Sequence, residues 1–267
     1  MGKISKLIKG IGTLIKQPYL LNLVLESSEY HQKILQKNSP EISKGLPQIS
    51  FCDLTDKKQI TVAPFAFLEG GSLSTDLGLL KILAEKKPNT TYFEVGTWRG
   101  ESVANVASVA DKCFTLNLSA EEMKGLGMAQ RYIDLHGFYS KKLPNVTHLT
   151  GNSLFFNFSP YQHKMDLVFI DGDHHYESVL KDSATAFSLL KDQNSIIVWH
   201  DYTNGPETIR WEVFRGIWEA TPADKRKHLY KVSNTQCAVY YPFPVKSKTA
   251  QYPETPEVDF KVEMTFN

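Results

Sequence analysis

Between residues 91 and 241 short apolar runs alternate with helical patterns, and this alternation restricts the fold more than any other feature of the chain. Runs at 91–95, 112–118, 145–150, 166–170 and 195–199 have strand length and strand composition. Helical spacing predicts helices over 101–110, 119–135, 176–190 and 206–220, and Ser119 with Glu122 makes a capping box that starts one of them. Strands separated by helices read as repeated βαβ units and therefore as a parallel sheet. Two further runs, 229–233 and 236–241, have no helix between them and so should pair as an antiparallel hairpin. The expectation is an α/β fold: a doubly wound, mostly parallel, seven-stranded sheet with a C-terminal antiparallel hairpin.

The flanks divide the chain into three stretches. Residues 1–74 should hold N-terminal helices and a covering loop, 75–243 the sheet domain, and 244–267 a tail with an extra strand. At the start, Ile4, Leu7, Ile8, Ile11, Leu14 and Ile15 recur at helical spacing with Lys3, Lys6, Lys9 and Lys16 off that stripe. Leu20, Leu23, Val24, Ile34 and Leu35 continue a helical pattern, whereas 38–74 carries turn residues without a period. Ser74 or Thr75 is placed to cap a helix running to Lys87. In the tail, Phe260, Val262, Met264 and Phe266 alternate with polar residues, the period of a half-buried strand. Such a strand needs an edge or groove to cover it, in its own chain or in a homo-oligomer.

Charge and cysteine content narrow the setting. Thirty Lys and Arg against 29 Asp and Glu leave a formal charge of +1, too little to draw in a nucleic-acid backbone. The three cysteines form no CxxC pair, which predicts a reduced, cytoplasmic protein. Lys9 and Lys16 interrupt the apolar start, leaving neither a signal-peptide core nor a transmembrane segment, and Lys6 breaks the myristoylation pattern. The basic helix is expected to pack on its own domain or a partner, with weak contact to a membrane surface as the competing reading.

A nucleoside cofactor on such a sheet lies beyond the C-terminal ends of the strands, so the first βα turn should be glycine-marked. Glu94-Val95-Gly96-Thr97-Trp98-Arg99-Gly100 meets that requirement, since glycines let the backbone turn tightly and approach a ligand. Its spacing is neither GxGxxG nor a GK[ST] phosphate loop, which favours a nucleoside without a pyrophosphate. Glu94 is placed to accept from a cationic or hydroxyl-bearing group. Further on, the run ending at Ile170 delivers Asp171, Asp173, His174 and His175, and the run ending at Trp199 delivers His200 and Asp201. Neighbouring strands that present Asp and His at the same edge form a constellation.

FEVGTWRGES resembles motif I of the class I S-adenosylmethionine-dependent methyltransferases. IDGDHHYE and WHDY resemble the branch of that family that includes the O-methyltransferases of macrolide and aminocoumarin sugars. The similarity spans roughly 92–241 and implies a Rossmann-like methyltransferase fold, S-adenosylmethionine as cofactor and a small-molecule acceptor, a hydroxyl of a sugar or other metabolite. It implies that Gly96, Thr97, Trp98, Gly100 and Asp171 border the cofactor, that Asn117 stands at the ribose, and that Asn152 and Ser153 stand at the adenine. Asn117 and Asn152 each replace a customary acid: the amide oxygen still accepts and its nitrogen donates, but the charge-assisted bond of a carboxylate is lost. Asp171, Asp201 and His200 fall where metal-dependent members hold magnesium. His200 replaces an acid there and points to a softer divalent ion or to no metal. His174 or Asp173 is the expected base for the acceptor hydroxyl; Asp173 could instead cap the helix near Tyr176. Arg99, Arg210 and Trp211 have two readings, as pocket borders or as structural residues beside a helix start. Two rival readings are a metal-dependent hydrolase built on the Asp and His cluster and a non-catalytic membrane-surface or scaffold protein.

Overall fold

The computed structural model describes residues 2–16, 27–68, 70–205, 208–251 and 254–265. Its centre is a nine-stranded sheet: β1 Gln48–Ile49, β2 Thr91–Val95, β3 Lys112–Asn117, β4 Val146–Thr150, β5 Leu167–Ile170, β6 Ile196–Trp199, β9 Leu229–Val232, β10 Ala238–Tyr240 and β11 Ser247–Lys248, with β7 Thr203–Asn204 and β8 Thr208–Ile209 paired apart from it. The order across the sheet is β11-β1-β9-β10-β6-β5-β2-β3-β4. Strands β4, β3, β2, β5 and β6 are parallel, and β10 runs antiparallel between β6 and β9. The five parallel strands and the closing hairpin are those expected. The two additional strands, β1 and β11, extend the β9 edge and are too short to carry a periodic signal.

Alternation along the strands fills a core on each face. Phe93, Val95, Val168, Ile170, Ile197 and Trp199 belong to one, with residues of the helices Ser28–Asn38, Tyr176–Leu189 and Trp211–Ala220. Tyr92, Leu167, Phe169, Ile196 and Val198 belong to the other, with residues of the helices Ser74–Ala84 and Glu101–Ala107. Helices on both faces make the sheet doubly wound, so the expected fold class is the observed one. The segment before residue 75 joins these cores: Leu35, Ile42 and Leu46 lie in the first, and Ile49, Phe51 and Leu54 in the second.

Several boundaries differ from expectation for local reasons. The helix expected over 119–135 is two short ones, Ala120–Gly125 and Gln130–Leu135, separated where Gly127 takes a φ of +78°. The β7–β8 hairpin takes up the start of the expected 206–220 helix, which begins at Trp211; Pro206 lies outside the described residues. Neither Ser74 nor Thr75 caps its helix: Asp76 does, accepting from the Leu73 backbone N–H at 2.7 Å. The Ser119–Glu122 capping box forms as expected. No strand forms between 254 and 265; Phe260 is 45% exposed and meets the Phe51 ring edge-on, while Phe266 lies outside the described residues. The tail's strand is β11 instead. Of the second helical pattern, Ile34 and Leu35 lie in the helix Ser28–Asn38, and Leu20, Leu23 and Val24 lie outside the described residues.

Candidate active site

The turns that follow β2, β3, β4, β5 and β6 lie along one edge of the sheet, and they carry most of the candidate site residues singled out from the sequence. At the end of β2 the chain turns through Gly96, with φ +97°. A Cβ added there would stand 1.9 Å from the Asp171 carbonyl oxygen. Asp171 N–H in turn donates to the Val95 carbonyl at 2.8 Å, so this glycine fastens the turn after β2 to the turn after β5. Gly100, with φ +79°, likewise leaves room for Ser140, whose Oγ would lie 2.2 Å from a Cβ.

Glu94 does not face a ligand. Strand alternation turns it to the Glu101–Ala107 face, where it is fully buried and accepts from Tyr92 Oη at 2.6 Å and Thr115 Oγ1 at 2.9 Å. Burial, only partly offset by the Tyr92, Ser102 and Thr115 donors, pushes its carboxyl up to about 8. Thr97 is buried as well, its hydroxyl 2.5 Å from that of Thr115. Arg99 proves structural: it pairs with Glu101 and donates to the Leu68 carbonyl. With Asn105, which bonds Ala63 N–H and the Pro64 carbonyl, it holds the covering loop over the helix Glu101–Ala107.

Trp98 stacks on Tyr132 with ring centroids 3.9 Å apart, and both rings meet His136. Asn117 closes this aromatic wall, its Nδ2 2.9 Å from His136 Nδ1. Donation to Nδ1 puts the ring hydrogen on Nε2, and burial lowers the affinity of His136 for a second proton. His136 Nε2 and Trp98 Nε1 are buried without a hydrogen-bond partner.

After β4, the Asn152 side-chain oxygen accepts from Leu154 N–H at 2.9 Å, so this residue shapes the turn. Beside it Ser153 bonds Asp182, which the sequence reading missed. Asp182 lies on the inward stripe of the helix Tyr176–Leu189 with Ser178, Val179 and Ala186, and its Oδ1 is buried and unpartnered. Burial pushes its carboxyl up to about 6. An acid on an inward helical stripe was the available signal. Unpaired buried polar atoms are rare in folded proteins; of the six found among the described residues, Trp98 Nε1, His136 Nε2 and Asp182 Oδ1 lie around this edge, and the others are on Gln48, Thr203 and Glu212.

Between β5 and β6 the charged residues form one cluster. His200, nearly buried, has its Nδ1 3.0 Å from Asp201 Oδ2 and 3.2 Å from Asp171 Oδ1, and its Nε2 3.1 Å from Asp76 Oδ2. Burial alone would drive a proton off this ring, but Asp171, Asp201 and Asp76 outweigh it and raise its proton affinity well above the ordinary imidazole value. Asp201, at φ +57°, also takes Arg210 Nη1 on Oδ1 at 2.8 Å and lies 3.2 Å from His174 Nδ1 through Oδ2. Burial raises its carboxyl, yet His200, His174 and Arg210 together pull it down to about 2. Asp76 is the second residue that the sequence reading missed.

Asp171, His200 and Asp201 bring potential metal-binding atoms within 4.8 Å of one another, the one such cluster among the described residues. The donor chemistry does not fit magnesium or another divalent ion. Both His200 nitrogens face carboxylate oxygens, an arrangement that favours a hydrogen on each over a free lone pair, and Arg210 already pairs with Asp201. A two-metal hydrolase site is not assembled either: His175 is exposed and pairs only with Asp173 in this region.

Asp173 and His174 part company. Asp173 accepts from Ser178 Oγ at 2.7 Å and from both the backbone and Nδ1 of His175, which fixes it at the start of the helix Tyr176–Leu189. Burial raises its carboxyl, but these donors outweigh that and hold it below the usual range. His174 points instead to Asp201, beside a cleft lined by Asp171, Gly172, Trp199 and His200.

Residues 93–202 match the family model of a methyltransferase domain. Comparison with curated proteins finds no match. Among solved structures, the O-methyltransferase from Bacillus cereus in complex with S-adenosylhomocysteine is 18% identical, with 62% of this chain and 79% of that one covered and a TM-score of 0.40. Spermidine synthase from Thermotoga maritima is 13% identical, with 63% and 60% covered and a TM-score of 0.40. The YcgJ protein from Bacillus subtilis is 18% identical, with 46% and 48% covered and a TM-score of 0.35, so the chain spans about half the length of that protein. The matched segment 93–202 contains the glycine turn, Asn117, the turn after β4 and both acidic strand ends.

Proposed function

We propose that this protein transfers a methyl group from S-adenosylmethionine to a hydroxyl of a sugar or other small metabolite, with His174 as the base, and that it does so without a metal. The observation that carries the assignment is the 3.2 Å approach of His174 Nδ1 to Asp201 Oδ2. A carboxylate accepting from Nδ1 fixes the neutral ring with its hydrogen there, leaving the Nε2 lone pair to take a proton. Asp173 has no such freedom, because its oxygens serve Ser178 and His175.

The turn from Gly96 to Gly100 would hold the cofactor's amino-acid end, Asn117 with His136 the ribose, and Ser153 with Asp182 the adenine. Asp182 supplies there the carboxyl that Asn152 lacks. The bound sulfonium supplies an electrophilic methyl group. The protein would orient the acceptor, and His174 would remove the hydroxyl proton as the methyl carbon passes from sulfur to oxygen, with S-adenosylhomocysteine as the leaving group. Asp171 and Asp201, fixed by His200 and Arg210, shape the acceptor side.

The test incubates purified protein with labelled S-adenosylmethionine and panels of sugars and small hydroxylated metabolites. Transfer to an oxygen should fall by about 10²–10⁴-fold in His174→Gln and by much less in Asp173→Asn, with S-adenosylhomocysteine affinity kept in both. Equal losses in the two variants would remove His174 from the role.

A further inference from the structure

The N-terminal helix, Lys3–Lys16, has no buried residue. Ile4 is 75% exposed and Ile15 77%, and Leu7, Ile8 and Ile11 are also exposed. A Cβ added at Gly10 or Gly12 would meet no atom within 4 Å. The expected packing of this stripe on its own domain is therefore not found among the described residues. A helix of 14 residues with two internal glycines is marginal in water by itself, so its apolar stripe calls for an external surface.

The charges say which surface. Lys3, Lys6, Lys9 and Lys16 all lie off the stripe, and the helix contains no acidic residue. An apolar face with lysines on the polar side suits the headgroup layer of an anionic bilayer, where the stripe enters the acyl boundary and the ammonium groups meet lipid phosphates. No helix among the described residues is long and apolar enough to cross a membrane, so the attachment is in-plane.

The position of this helix along the chain gives the attachment a direction. The chain is again described from Ser27, and Ser28 Oγ accepts from Trp211 N–H at 3.0 Å, where the last long helix begins just after the site strands. His31 meets the Tyr176 ring at 5.4 Å, at the start of the helix that follows the DGD turn. Both contacts lie at the site edge of the sheet, and the chain between Lys16 and Ser27 reaches no more than about 40 Å. Around the same edge Phe67, Leu68, Phe138 and Phe155 stand 70%, 62%, 64% and 85% exposed.

We infer that Lys3–Lys16 docks in the plane of an anionic bilayer and brings the site edge of the domain, with its exposed phenylalanines and Leu68, to the membrane surface. The inference does not depend on the acceptor or on the base. Flotation of the full chain with vesicles of phosphatidylcholine, with and without phosphatidylglycerol, tests it. The chain should float with the anionic vesicles and stay behind with the neutral ones, lose binding as salt rises, and gain helical ellipticity when bound. Leu7→Glu with Ile11→Glu should weaken binding at least about tenfold while leaving the melting of the domain unchanged. Phe155→Ser should weaken it less, because that residue only borders the docked edge. Absence of flotation with anionic vesicles, or equal flotation of the double variant, overturns the inference. So does a vesicle-free oligomer that the double variant dissolves, since that result assigns the stripe to a second copy of the chain.

Discussion

Asp76 Oδ2 lies 3.1 Å from His200 Nε2 across 124 residues of sequence, joining the first turn of the helix Ser74–Ala84 to the end of β6. The same carboxylate accepts from Leu73 N–H through Oδ2 and from Gln236 N–H through Oδ1. One fully buried acid thus holds the helix start, the β9–β10 connection and the His200 ring together.

Asp76→Ala should therefore cost about 3–5 kcal/mol in denaturant unfolding, the range for removing one member of a buried ion pair. Asp76→Asn should cost less, since its amide oxygen still accepts. The pH profile carries the sign. His200 binds its proton more tightly when folded, so its contribution is complete below the ordinary imidazole value near about 6.5 and is lost as pH rises toward the higher folded value. His200→Gln should be less stable than the parent at pH 6, and the gap should narrow in alkaline solution.

Glu94 predicts a second pH effect. Its folded carboxyl titrates at about 8, far above the ordinary carboxylate value, so folding takes up a proton and the parent loses stability as pH rises from about 4.5 to 8. Glu94→Gln removes that dependence. Chemical unfolding at pH 5 and pH 8 should show the variant gaining on the parent by a few kcal/mol at the higher pH, on the order of the buried shift. A parallel pair of profiles would mean that Glu94 is ionised in the folded protein.

The sheet was legible because its signals are local. Apolar runs of strand length and the capping box at Ser119 need only their neighbours, and strands β2 to β6 begin and end within a residue or so of expectation. Site residues at the strand ends followed from the same runs: the fold brings Asp171, His174, His200 and Asp201 together because β5 and β6 are parallel neighbours. Asp76 and Asp182 were not legible. Asp76 matters through a ring 124 residues away, and Asp182 through a serine in the turn after β4. From its sequence Glu94 reads as a ligand contact, because strand position alone does not reveal that Tyr92 and Thr115 occupy its oxygens.

S-adenosylhomocysteine should raise the melting temperature, corresponding to about 2.7 kcal/mol at a hundred times its dissociation constant. Asn117→Ala and Asp182→Ala should each weaken the shift, the first by removing the amide that orients His136, the second by removing the unpartnered carboxyl beside Ser153. Asn152→Ala should lower the melting temperature of the free protein more than it changes the shift, because its oxygen closes a turn. Titration calorimetry on the three variants separates these outcomes; an unaltered affinity in Asp182→Ala would exclude it from the adenine side.

The final prediction concerns the charged cluster during turnover. With both His200 nitrogens on carboxylates and Arg210 on Asp201, the site balances its acids with its own cations. Methyl transfer should therefore survive EDTA and gain nothing from added magnesium or manganese. Asp201→Asn keeps the shape of the side chain but removes the charge that Arg210, His200 and His174 share. Its rate should fall by about 10²-fold or more, the loss of an oriented base, while S-adenosylhomocysteine binding changes little if the cofactor is held, as proposed, by the turns after β2, β3 and β4. Arg210→Gln should fall between that variant and the parent, since it weakens the hold on Asp201 without touching His174. Loss of turnover on chelation, restored by magnesium, would show instead that a cation displaces the His200 proton.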